Sequence, residues 1–207
     1  MYPDLIKKLI TSFTELPGVG ERAATRYVFH FLKTKGNYTE ETAKVLAKLK
    51  KEITLCSECY NIAQKSNNNS PTLCPICKEK RRIKEKICLV EKISDIEKIE
   101  SMGFYDGTYH VLGGLINPPK GTTESKLTLK RLLSRLKKLL KIEKEPELIM
   151  ALNPTREGDL TVNHIRELIA PLKIGVTRLA RGIPTGGEIQ YADEDTLKES
   201  FSQRKKL

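Results

Sequence analysis

The sequence predicts an α+β chain of several modules, and three observations carry that reading. Apolar residues recur at helical spacing near the N-terminus, two Cys-x-x-Cys hooks bound a short central segment, and from residue 85 short apolar runs alternate with helical stretches. A chain of 207 residues with 39% hydrophobic and 30% charged residues can bury one sizeable core or two small ones, which excludes intrinsic disorder. No apolar run approaches the roughly 20 residues that cross a bilayer. The opening MYPDLIKKLI lacks the apolar stretch and small-residue cleavage site of a signal peptide, so a soluble, cytoplasmic protein with no membrane partner is expected.

Residues 1–55 read as helical. Leu5, Ile6, Leu9, Ile10 and Phe13 recur at helical spacing, as do Val45, Leu46, Leu49 and Ile53, and Thr39-Glu40-Glu41-Thr42 has the acidic first turn of a helix start. Between these stretches Leu16-Pro17-Gly18-Val19-Gly20 joins two helices, the second running to about Leu32. Gly18 and Gly20 let the backbone turn sharply and approach another backbone with no Cβ in the way. Amides at the start of the second helix would then face outward, where the positive helix end binds phosphate oxygens, and Arg22 and Arg26 lie four apart on one face. That combination suits a sequence-independent grip on a nucleic-acid backbone; a hairpin packed for stability, with solvated arginines, fits the same string. The net +11 divides into 16 basic against 8 acidic residues over 1–84 and 21 against 18 over 85–207, which suggests a polyanion partner held mainly by the N-terminal part; a basic protein kept soluble by its charge fits the composition equally.

Cys56-x-x-Cys59 and Cys74-x-x-Cys77 are hooks separated by 14 residues. A two-residue gap lets both sulfurs of a hook converge on one ion, and four thiolates are the ligand set of tetrahedral zinc. Disulfides are disfavoured in the cytoplasmic setting expected here. All four places are filled by cysteine, leaving none for water or substrate, so one structural Zn²⁺ is expected, supplying most of the folding energy of its block. The tract Ser66-Asn67-Asn68-Asn69-Ser70-Pro71 between the hooks reads as an exposed loop. The fifth cysteine, Cys88, sits in an apolar strand and reads as a buried small hydrophobe.

From residue 85, the runs Ile87–Val90, Tyr109–Leu112, Leu148–Leu152 and Ile174–Thr177 read as buried strands, with helices near 92–102, 126–141 and 157–172. Strands alternating with helices predict a largely parallel sheet. Lys126 to Lys141 carries basic residues at 126, 130, 131, 135, 137, 138 and 141 around a leucine face; a helix packing its leucines on the sheet with a solvated basic face is expected, ahead of a membrane or acidic-partner surface. Glu91 ends the first strand, and Leu152 to Asp159 follows a later strand and opens a helix, so both segments could meet at one crevice at the carboxyl ends of the strands. His30, His110 and His164 show no nucleophile or metal spacing and read as packing or surface residues.

The string Leu16-Pro17-Gly18-Val19-Gly20 with its basic helix resembles a helix-hairpin-helix motif, a phosphate-binding unit of many DNA repair proteins. The later block resembles a Toprim domain, the module shared by topoisomerases, DnaG-type primases and some nucleases, in which a Glu after the first strand and an Asp-x-Asp pair hold magnesium. In this chain Asn153 and Thr155 stand at the aspartate positions, which removes two negative charges and makes two-metal phosphoryl chemistry unexpected. Glu91, Asp95 and Glu157 are left with two roles, holding one weak Mg²⁺ or orienting loops through hydrogen bonds, of which the second is expected.

The whole order resembles the RecR family of bacterial recombination mediators. It comprises a helix-hairpin-helix region over 1–55, a four-cysteine zinc finger over 56–84, a degenerate Toprim domain over 85–182 and a short C-terminal assembly segment over 183–207. The more specific strings are Tyr109-His110-Val111-Leu112-Gly113-Gly114, Asn153-Pro154-Thr155 with Glu157-Gly158, Val176 to Pro184 with Gly186-Gly187, and Tyr191-Ala192-Asp193. The resemblance implies a non-enzymatic, nucleoid-associated, ring-forming dimer or tetramer. It would bind double-stranded and gapped DNA and act with RecO, and in many bacteria RecF, to load the RecA recombinase. It assigns DNA contact to Gly18, Gly20, Arg22 and Arg26, zinc to the four paired cysteines, and partner contact to Glu91, Asp95 and Glu157. A small Toprim metal-dependent nuclease or primase-like enzyme is the alternative. The chain departs from the family pattern in its Asn-rich zinc loop and in Asn117 to Thr123, where Lys and Thr replace a more acidic, glycine-rich loop.

Overall fold

A computed structural model describes residues 2–66, 70–142 and 145–204, and the chain divides into two compact units, Met1–Ile53 and Thr54–Leu207. Asn67, Asn68 and Asn69 of the predicted loop, and the last three residues of the tail, lie outside the described residues.

The first unit holds α1 (Asp4–Thr14), α2 (Glu21–Lys33) and α3 (Tyr38–Glu52). Its core is small: Ile10, Ala24 and Val28 are buried, with Ile6, Phe13 and Val19 packed against them. Phe13 stacks on Phe31 and Phe31 on Tyr38, with ring centroids 6.1 and 5.9 Å apart. The helical spacing of Val45, Leu46 and Leu49 is real, yet all three are more than half exposed. Ile53 departs from the expectation. Helix α3 ends at Glu52, and the β-branched pair Ile53-Thr54 opens strand β1 (Ile53–Leu55), which pairs with β2 (Ile62–Gln64).

In the second unit the short helix α4 (Pro75–Lys78) closes the cysteine segment. Four strands follow, β3 (Ile83–Val90), β4 (Gly107–Val111), β5 (Glu147–Ala151) and β6 (Gly175–Arg178), all parallel in the order β4-β3-β5-β6. The connecting helices are α5 (Ile93–Glu100), α6 (Leu129–Lys141) and α7 (Arg156–Ile169). Period-two alternation splits the strands between two cores. Ile87, Leu89, Leu148 and Met150 pack with Leu129, Leu132 and Leu136 of α6 and Val162, Ile165 and Ile169 of α7. Cys88, Val90, Tyr109 and Val111 face the other way, against Ile96 of α5 and Tyr60 and Ile76 of the cysteine segment. Burial pushes the Cys88 thiol up to about 12, which suits an inert packing residue. Helix α6 begins three residues later than expected, because Glu124–Lys126 forms a separate 3₁₀ turn. Beyond β6 the C-terminal segment carries α8 (Glu194–Ser202), capped by Asp193, whose carboxylate accepts from Thr196 N–H at 2.9 Å.

Arg82 fastens the start of β3 to the end of α5. Its guanidinium donates to Glu100 Oε1 at 2.8 Å and to the Tyr105 carbonyl at 3.1 Å, while Tyr109 O–H donates to the same Glu100 oxygen at 2.6 Å. Arg82 and Tyr109 hold the Glu100 carboxyl below the usual carboxylate value. A depressed folded pKa gives stability that is present above the unfolded pKa and is lost as pH falls through the folded one. Glu100→Gln is therefore expected to destabilise the protein at neutral pH. In urea titrations across pH, the difference from the parent should shrink below the ordinary carboxyl range; a gap independent of pH would count against it.

Candidate functional sites

In the hairpin, Leu16 N–H donates to Phe13 C=O and Val19 N–H to Leu16 C=O, both at 3.1 Å, which closes two successive turns. Gly18 has φ +78°, a conformation open to glycine and strained for other residues. Gly20 differs from the expectation: its backbone is extended, any residue could adopt it, and a Cβ there would meet only open space. It is the N-cap of α2, and no side chain caps the first-turn amides. Arg22 and Arg26 are exposed on the helix that follows, with the Arg26 guanidinium 5.7 Å from the Tyr27 ring centre. Uncapped amides, a positive helix end and two guanidiniums make a surface that can receive phosphate oxygens.

The four paired cysteines converge. Cys56, Cys59, Cys74 and Cys77 are buried, with all four sulfurs within 4.8 Å of one another and Cys59 Sγ 3.5 Å from Cys74 Sγ. Cys77 N–H points at Cys74 Sγ at 3.4 Å, a contact that stabilises a thiolate. Among themselves the sulfurs cannot all ionise. Hydrogen bonds from the neighbouring sulfurs pull the Cys56 thiol down, and the same contacts together with burial push Cys59 and Cys77 up. Four thiolates this close need a cation to neutralise them, so the donor set fits a soft or borderline divalent metal with no open position.

The cysteine module is built onto the sheet. Val111 N–H, at the carboxyl end of β4, donates to Cys59 C=O at 2.8 Å; Arg131 Nε donates to Ser57 C=O at 2.8 Å; and the Tyr60 ring meets His110 edge-on at 5.8 Å. Sequence reasoning missed these attachments and misplaced Arg135. Counted among the solvated basic residues, Arg135 is 5% exposed, and it donates to Tyr109 C=O and Thr108 Oγ1, both at 2.6 Å, with Glu58 3.4 Å from its Nε. The available signal was the choice of arginine at 131 and 135 on a helix otherwise using lysine, since a guanidinium can satisfy several carbonyls at once.

Glu91 and the Asn153 segment do meet at the carboxyl ends of the strands. Asn153 Nδ2 donates to Glu91 Oε2 at 2.8 Å, and Lys92 Nζ lies 3.3 Å from Glu91 Oε1. Asp95 serves its own helix, accepting from Lys92 N–H at 2.8 Å at the start of α5. Glu157 accepts from Asn117 Nδ2 at 3.2 Å, which ties the 117–123 loop to α7. Each carboxylate thus has a separate partner, and among the described residues only the cysteines bring three or more ligating groups together. Glu91 is engaged by Asn153, Asp95 by its own helix and Glu157 by Asn117, so the three carboxylates are not gathered around one cation as the magnesium site of catalytic Toprim enzymes requires. Asp159, one helical position past Gly158, pairs with both Arg178 and Arg181 and so holds the chain after β6 against α7. His164 pairs with Glu124 at 3.0 Å, and His110 is fully buried, its pKa pushed down to about 3 by burial.

Three family models match the chain: "RecR, helix-hairpin-helix" over residues 6–50, "Toprim domain" over 85–180 and "RecR, C-terminal" over 182–205. Proteins named "Recombination protein RecR" from Staphylococcus saprophyticus, Staphylococcus haemolyticus and Staphylococcus aureus are each 41% identical to it over 206 residues, covering 100% of this chain and 99% of theirs.

Proposed function

The chain belongs to the RecR family of recombination proteins, and on that membership we propose that it is a non-catalytic mediator of recombinational repair. It binds double-stranded and gapped DNA and works with RecO, and with RecF in bacteria that carry it, to load RecA at single-strand gaps. The observation that carries the mediator reading over a nuclease or primase-like one is the Asn153 amide donating to Glu91. A catalytic crevice needs that space for a cation between carboxylates; here a neutral donor fills it and fixes the loop. Asp95 and Glu157, half-buried, are then the carboxylates that a basic partner such as RecO reaches, while the buried Glu91 holds the Asn153 loop in place.

DNA contact falls to the hairpin, through Gly18, Gly20, Arg22 and Arg26. Zinc is the metal that the four cysteines would hold, a structural ion that fixes Ser57–Tyr60 against the sheet and takes part in no reaction. Exposed Leu5 on α1 and Leu46 on α3 leave an apolar surface on the first unit, in keeping with a dimer or tetramer ring in the nucleoid. No described helix is long and apolar enough to cross a membrane.

The test is a RecA-loading assay on gapped DNA coated with single-strand-binding protein, with and without RecO and Mg²⁺. Loading that needs this chain, without strand cleavage, supports the mediator; Mg²⁺-dependent cleavage lost in Glu157→Ala would establish the enzyme instead. For the hairpin, Arg22→Ala/Arg26→Ala is expected to weaken DNA binding and to lower the slope of log affinity against log salt by about 2, near 0.9 per phosphate contact. Unchanged slope and affinity would remove the hairpin from the DNA interface.

A further inference from the structure

Helix α6 presents Lys130, Ser134, Lys137, Lys138 and Lys141 on successive turns of one face, all exposed, and carries no acidic residue. Among the described residues, none of these four lysines has an ion-pair partner. Lys86 and Lys198 do pair, with Asp106 and Glu194; what sets α6 apart is that four lysines without such a partner share one face of a helix that holds no acidic residue. Lys137 and Lys141 stand four apart and Lys138 and Lys141 three apart, spacings at which like charges repel. A groove lined by Lys130, Leu133, Ser134, Lys137, Lys138 and Lys141 runs along this face. A second, toward the cysteine module, shares Ser134 and Lys138 and adds Arg131; its acidic residue, Glu58, is drawn toward Arg135. The small net charge of residues 85–207 hides the stripe, because the acidic residues of that part lie on other elements.

We infer that this α6 face is a second nucleic-acid backbone site, on the Toprim unit and separate from the hairpin. The apolar side of the helix is spent on the core, with Leu132 and Leu136 0% exposed, so the helix has no free hydrophobic face to enter a bilayer and offers lysines alone. Lysines held at regular intervals suit a regular row of charges. From Lys130 to Lys141 the helix rises about 16 Å, long enough for its lysines to meet more than one phosphate of a strand. Lysine, a mobile point charge, contacts phosphates without reading bases, so the site takes DNA of any sequence.

The test follows binding of the full-length protein to a labelled DNA oligonucleotide by fluorescence anisotropy across a salt series. Lys130→Gln/Lys137→Gln/Lys138→Gln/Lys141→Gln is expected to lower the log–log salt slope by about 3 and to weaken binding by about tenfold or more at moderate salt. That loss adds to the loss from Arg22→Ala/Arg26→Ala. Ser134→Glu guards against misfolding, since a carboxylate there can pair with Lys138 one turn on and support the helix while repelling phosphate; it should weaken binding with the thermal midpoint unchanged. A quadruple variant that keeps the parental slope overturns the inference. So does a hairpin variant that has lost all salt-dependent binding, or α6-dependent capture on phosphatidylserine vesicles with DNA binding intact. A hairpin variant that binds as the parent does, beside a weakened α6 variant, leaves this inference standing and removes the hairpin reading instead.

Discussion

Cys74→Ser is expected to unfold the cysteine module and to lower the stability of the Thr54–Leu207 unit by several kcal/mol. The module has almost no core besides the sulfurs: its buried members are the four cysteines and Ala63, with Leu73 and Ile76 packed beside them. A segment that small cannot offset the entropy of ordering its own backbone, about 1–2 kcal/mol per residue, by burying two aliphatic side chains. Structural zinc supplies apparent free energies of about 10–16 kcal/mol in zinc-finger peptides, and a serine oxygen in place of one thiolate forfeits much of that. The loss does not stay local. Cys59 C=O and Ser57 C=O would leave the Val111 amide and the Arg131 guanidinium without partners, and Arg135, buried beneath the module, would be opened to water beside Glu58. A chelator added to the parent should reproduce the same drop in thermal midpoint. Cys88→Ser is the control: a buried cysteine outside the cluster should cost less and leave the chelator response intact. If Cys74→Ser melts with the parent, the cluster carries no structural metal.

What was legible in the sequence, and what was not, follows the range of the interactions. The cysteine cluster and the parallel sheet rest on local strings, two Cys-x-x-Cys hooks and apolar runs spaced by helices, and each string constrains its own backbone. Ile53 was misassigned because its apolar period continues that of α3, while the competing choice, pairing with residues 62–64, depends on a partner strand that a helical window does not contain. Arg135 was misread for the same reason: its partners, Thr108 and Tyr109, lie 27 and 26 residues away in sequence. The crevice was legible as a meeting of Glu91 with Asn153, because carboxyl ends of parallel strands converge. Its hydrogen-bond pairing was not, since that depends on where Asn117 and Lys92 place their side chains.

Gly158→Ala is expected to destabilise the protein by about 2–4 kcal/mol and to weaken the proposed binding of RecO while leaving the DNA affinity proposed for the hairpin near the parental value. Gly158 lies in the first turn of α7, buried, with backbone angles any residue could adopt; the demand on it is space. A Cβ at this position would drive into the Asn153 carbonyl oxygen, deep inside van der Waals contact, and would lie 3.4 Å from Thr155 Oγ1. Backbone cannot swing aside as a flexible side chain can, so the Asn153–Thr155 turn must move. That turn is held by Thr155 N–H donating to Asn153 C=O at 2.8 Å and by Gly158 N–H donating to Thr155 Oγ1 at 3.1 Å, the N-cap of α7. Shifting it also withdraws the Asn153 amide from Glu91, leaving a largely buried carboxylate with Lys92 alone. Gly18→Ala provides the contrast: there φ is +78° with open space around the Cβ, so the cost is backbone strain of roughly 1–2 kcal/mol with no displaced neighbour. Thermal melts joined to RecO pull-down separate the two. If Gly158→Ala folds with parental stability and binds RecO as before, the Asn153 turn is pliable and the crevice is not the fixed surface proposed for it.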